Sequence, residues 1–173
     1  MKKIYYCLLL LLLPCSLLAQ EWKIFNDTAC AFTAKYPATW TKRMNETKRV
    51  FFTSPAENAA DSFYENVNVN MIKNTAYGTT VKIKQAIPAV LDNLVKSVDN
   101  FTKLTERYFK WNDGDACELI YTCNAKNSAL SLRVIQWFGF SKGRMYTATY
   151  TALAGNTSNA EPAQKILDSI KFR

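Results

Sequence analysis

The sequence predicts a single α+β domain built on a mostly antiparallel sheet, and three observations predict it. Apolar and polar residues alternate sharply over 65–72, the period turns helical over 80–98, and four strand-like segments then follow with turns too short for crossovers. A doubly wound parallel sheet needs strands and helices in regular alternation, which this chain lacks.

Residues 1–19 stand apart from the domain and read as a signal peptide. Lys2 and Lys3 give a positive start, Leu8 to Leu13 form an unbroken apolar run, Pro14 breaks it, and Leu17-Leu18-Ala19 ends on a small residue fit for cleavage. That run is short for a permanent membrane span, and no later stretch is long enough to be one. The competing reading is a lipoprotein leader acylated at Cys15, against which Pro14 stands where a small residue is wanted. An exported protein, periplasmic or secreted, is the expectation, with one domain over 20–173.

Within that domain, 32–36 reads as a short extended piece ended by Pro37, 40–44 as a second strand and 50–54 as a third, closed by Pro55. Small polar residues over 55–62 form a loop. In the next strand Val67, Val69 and Met71 face one way and Asn66, Asn68 and Asn70 the other. Ile83, Ile87, Val90, Leu91, Leu94 and Val98 then recur at helical spacing. Pro88 inside that pattern predicts either a helix start beside it or a kink, with a weak first turn before it and a firm helix after it.

Segments 101–111, 116–124, 130–140 and 144–153 follow as four strands. Asn112-Asp113-Gly114 and Ser141-Lys142-Gly143 supply turn chemistry, so antiparallel hairpins are required. Asn159 is placed to cap a last helix over 160–169, whose Ala163, Ile166, Leu167 and Ile170 fall on one side.

Composition narrows the chemistry. The chain has 173 residues, 49% hydrophobic and 21% charged, with five Gly and five Pro, which is globular usage rather than collagen-like or disordered. Lys and Arg number 22 against 14 Asp and Glu, but the basic residues are dispersed, so no nucleic-acid-binding stripe is indicated. Histidine is absent, which removes Ser-His-Asp and Cys-His catalysis, imidazole-ligated metals and a histidine pH switch. No cofactor is expected.

Beyond the leader three cysteines remain, so one stays unpaired within a monomer. Cys117 and Cys123 are six residues apart on one predicted strand, about 20 Å at strand rise and far beyond disulfide reach. Two alternatives stay open: a bridge from Cys30 to Cys117 or to Cys123, or three buried thiols.

The order of punctuation resembles a known family. Phe32, Tyr36-Pro37 and Trp40, then Phe52-Thr53-Ser54-Pro55, then Phe63 with Asn66-Val67-Asn68-Val69, precede a helix. Gly114, Ala116, Tyr121, Arg133, Gln136, Gly143-Arg144, Tyr146 and a closing Ile166-Leu167-Asp168-Ser169-Ile170 follow it. Together these look like the PsbP-like family and the DcrB-like exported bacterial proteins that share its fold. The resemblance implies an α/β/α sandwich, a central antiparallel sheet flanked by helices, and brings no catalytic motif with it.

Functional candidates are few. Asp113, Asp115 and Glu118 form the tightest acidic cluster, with the composition of a weak metal site or an acid/base pair; a hydrolase or metal-dependent enzyme centred there is the alternative function. Aromatic residues at element ends, Trp22, Phe63, Tyr64, Tyr77, Trp111 and Trp137, are the candidate binding surface, with Arg133 and Arg144 as anion contacts. The leading expectation is a non-enzymatic exported module that binds a protein or envelope component through a sheet face or an edge groove.

Overall fold

The structure is a computed structural model that describes residues 20–73, 76 and 80–173. Residues 1–19, with Cys15, and Tyr77 lie outside the described residues. The elements in chain order are β1 (Trp22–Asp27), β2 (Phe32–Pro37), β3 (Thr41–Met44), β4 (Val50–Thr53), β5 (Asn66–Lys73), α1 (Ile83–Ser97), β6 (Asp99–Trp111), β7 (Gly114–Asn124), β8 (Ser131–Ser141), β9 (Arg144–Leu153), α2 (Ala160–Ser169) and β10 (Lys171–Phe172).

These strands make two sheets, not one. Seven lie in the order β3-β4-β5-β9-β8-β7-β6, every neighbour antiparallel. A smaller sheet, β1-β2-β10, is antiparallel too. It corrects the single-sheet expectation for a physical reason. Only Phe25 of β1 is buried while Ile24 stays 69% exposed, so β1 carries no inward apolar alternation, and the two residues of β10 are too few to show a period.

Alternation in the large sheet divides the interior. Ala116, Trp137, Tyr146, Ala148 and Tyr150 point into a core closed by Phe25 and Phe32 of the small sheet and by Ala163, Ile166 and Leu167 of α2. Cys117, Leu119, Tyr121, Val134 and Phe138 point the other way, into a second core where α1 seats Ile83 and Ile87. Each of those isoleucines contributes about 1.5–3 kcal/mol by leaving water. The β5 pattern is as read: Val67 and Val69 are fully buried, and Asn66, Asn68 and Asn70 are half-buried opposite Thr151, Thr149 and Thr147.

α1 begins at Ile83 and carries Pro88 in its second turn, so the helix starts before the proline and forfeits the one hydrogen bond that residue 88 would give to residue 84. Its start is tied by the Gln85 side chain, which accepts the Lys82 N–H at 2.8 Å. Both predicted hairpins close on two residues, Trp111 pairing with Gly114 and Ser141 with Arg144. Lys142 and Gly143 both hold positive φ, as the tight twisted turn demands. At the other hairpin the positive φ falls on Asn112, and Gly114 is needed for a different reason: a Cβ there would collide with the Phe140 carbonyl oxygen.

Candidate functional site

The acidic cluster does not converge. Asp115 shares a face of β7 with Cys117 and Leu119, and Lys110 Nζ lies 2.6 Å from its carboxylate, whose pKa that hydrogen bond holds below the usual range. Glu118 lies on the opposite face with Ala116, where it accepts from Arg107 Nε at 3.1 Å and from Trp137 Nε1 at 2.8 Å. Strand alternation therefore separates the very residues that sequence proximity grouped. Among the described residues no group of three or more His, Cys, Asp or Glu could hold a metal ion.

The cysteines follow the same logic. Cys30 lies in the core shared with α2, while Cys117 and Cys123 lie in the core under α1, with the large sheet between them. All three are free and buried, so the bridge from Cys30 to either is not formed. Burial raises each thiol's pKa, that of Cys117 to about 11.

The aromatic candidates disperse. Trp111 and Trp137 are each 4% exposed and meet edge to face at 5.4 Å, so both are core. Trp22 is half-buried against the same core, Phe63 is half-buried against the other, and Tyr64 is exposed. Arg133 is half-buried, and Arg144 donates to the Arg173 carbonyl at 2.9 Å, fastening the chain end.

Concavity arises elsewhere, around β6. This strand ends the sheet order, pairs with β7 alone and is exposed along most of its length. Between it and the start of α1 lies a cavity of about 410 Å³ lined by Ile83, Tyr108, Phe109 and Ala116 and rimmed by Lys82, Lys84, Lys110 and Asp115. Lys84 Nζ stands 5.3 Å from the Tyr108 ring centre. Burial first, then the Glu106 carboxylate that its hydroxyl contacts at 2.9 Å, push the Tyr108 phenol up to about 12. The cavity continues past Lys110 and Asp115 to the two hairpin turns, where Asp113 and Lys142 line a further volume of about 340 Å³. No acidic residue occupies the first turn of α1, so the positive end of the helix dipole there is not offset by a side chain of that turn.

Neither a protein-family model nor a curated protein matches the sequence. Solved structures do. The solution structure of cyanobacterial PsbP from Synechocystis superposes with a TM-score of 0.64 at 10% identity, over 89% of this chain and 94% of that one. The fold is PsbP-like. A Pseudomonas aeruginosa protein of unknown function superposes on this chain with TM-score 0.62 and 14% identity, over 88% of this chain and 98% of its own. A Bacteroides thetaiotaomicron protein matches 87% of this chain at TM-score 0.59 and 16% identity, and this chain spans about half of its length, 48%.

Within the PsbP-like frame one polar cluster is invisible to sequence reasoning. Glu65 is 1% exposed, yet its carboxylate accepts from Asn156 Nδ2 at 2.9 Å, from Asn159 Nδ2 at 3.2 Å and from Ser54 Oγ at 3.2 Å. The exposed Glu57 accepts from the same Asn156 amide at 2.9 Å. Asn159 precedes α2 as expected, but its side chain makes no capping bond because it is turned to the two carboxylates. The network fastens the loop over 54–65 to the β9–α2 connection. Its two asparagine donors lie some ninety residues away in sequence, so no local motif could announce it.

Proposed function

We propose that the chain is an exported, non-catalytic module with a PsbP-like α/β/α architecture that binds a protein or cell-envelope component at the cleft beside β6. One observation carries this reading: a long edge strand flanked by an apolar cavity of about 410 Å³ whose rim is lysine-rich. Apolar floor and charged rim are the composition of a recognition site. The separation of Asp115 from Glu118 onto opposite strand faces speaks against the hydrolase or metal-enzyme alternative at Asp113, Asp115 and Glu118. Export is supported by the reading of residues 1–19, and no helix among the described residues is long and apolar enough to cross a membrane.

Affinity purification of the tagged chain from its native envelope, compared with the Lys84→Glu/Lys110→Glu double variant, tests the proposal. A discrete set of copurifying components, lost in the variant, is the expected result. Capture that is identical in the two proteins would overturn the assignment to this cleft.

A further inference from the structure

The two faces of β6 differ in detail but share a feature. On the α1 face lies the cavity of about 410 Å³ rimmed by Lys82, Lys84, Lys110 and Asp115. On the α2 face lies another, of about 310 Å³, whose lining includes Arg107, Trp111, Asn112, Gln164, Asp168 and Lys171. Trp111 is 4% exposed and its indole N–H has no hydrogen-bond partner. Both cavities border the same stretch of strand, residues 107–110. A backbone edge with a pocket on each face matches the geometry of strand addition. Main-chain bonds hold an extended peptide to the edge, and successive side chains enter opposite pockets.

Charge selects the occupant. Lys103, Arg107 and Lys110 lie along β6 but are ion-paired to Glu106, Glu118 and Asp115, so the selecting charge is that of Lys84 and Lys171, which border the two cavities and have no carboxylate partner among the described residues. A second copy would present the same three cations with a single carboxylate over 103–110, a poorer match than an acidic strand. We propose that the outer edge of β6 takes up an extended segment of a partner protein carrying consecutive acidic residues, adding it to the large sheet as a further strand. One acidic side chain meets Lys82 and Lys84; the next meets Arg107 and Lys171. This inference rests on the binding-module reading and names the class of partner.

The test uses a fluorescein-labelled peptide, Thr-Val-Glu-Glu-Val-Glu-Thr, with two controls: the same peptide N-methylated at alternate backbone amides, and one with Lys for each Glu. Anisotropy titration of the acidic peptide is expected to show binding that weakens with salt. The N-methylated control, the Lys peptide, and the Lys84→Glu/Lys171→Glu variant should each bind at least roughly ten-fold more weakly. Amide exchange should slow along β6 in the complex. Equal binding of the N-methylated peptide, protection only elsewhere, no binding at millimolar concentration, or a peptide-free dimer with β6 already protected would each overturn strand addition. If strand addition fails while envelope capture still depends on Lys84 and Lys110, the cleft remains a binding site for another class of ligand; if both fail, the binding reading fails too.

Discussion

Glu118 and Trp137 face each other in register across β7 and β8, and the indole N–H donates to the carboxylate at 2.8 Å. The acid that sequence proximity offered for catalysis is thus an anchor for a core tryptophan. Glu118→Ala should leave that buried N–H unsatisfied and cost about 1–3 kcal/mol in denaturant unfolding. Glu118→Gln keeps an oxygen acceptor and should cost less than the alanine variant. Equal losses for the two would show that the hydrogen bond contributes nothing.

Glu65 makes a second case of a buried carboxylate with a structural task. Glu65→Ala removes the acceptor for Ser54, Asn156 and Asn159 together and is expected to cost about 3 kcal/mol. Hydrogen exchange should localise the loosening to the 54–65 loop and the start of α2. Unchanged exchange in both would contradict the network described.

Cys117 links stability to alkaline pH. Its folded pKa is raised to about 11 from an ordinary 9.0, chiefly by burial, so the native state holds the proton longer than the unfolded chain does. The stability it contributes is complete below about pH 9 and is lost as pH rises through about 11. Cys117→Ala should flatten the fall in stability over that window. In the native protein at neutral pH, all three thiols should resist alkylation and react once the chain is unfolded.

Gly139 is constrained by its neighbour. A Cβ there would stand 2.7 Å from Trp111 Cε3 and 3.4 Å from Phe172 Cζ, so the rings must shift. Gly139→Ala should cost about 1–3 kcal/mol by overpacking, with a change in near-ultraviolet circular dichroism from the Trp111 and Trp137 pair.

Much of the fold was legible because its signals are local. The alternation at Asn66 to Met71, the helical spacing from Ile83 to Leu94 and the Lys142-Gly143 turn each repeat within a few residues, and each element formed where expected. β1 and β10 escaped notice because they depend on pairing with β2, not on any pattern of their own. The site was less legible still. Trp111 and Trp137 sit at an element end and on a strand, yet only three-dimensional packing tells that both rings are buried. Arg107, Tyr108, Lys110 and Lys84 carry no motif; they meet because α1 returns beside the edge strand it precedes.

The claim that β6 is the recognition edge is tested most directly by site-specific photo-crosslinking in the native envelope. A benzophenone side chain at Leu104, which is 50% exposed on β6, is compared with one at Thr41 on β3, the short opposite edge. The expected result is a discrete adduct from Leu104 and none from Thr41. Adducts of equal yield from both positions, or from Thr41 alone, would contradict it.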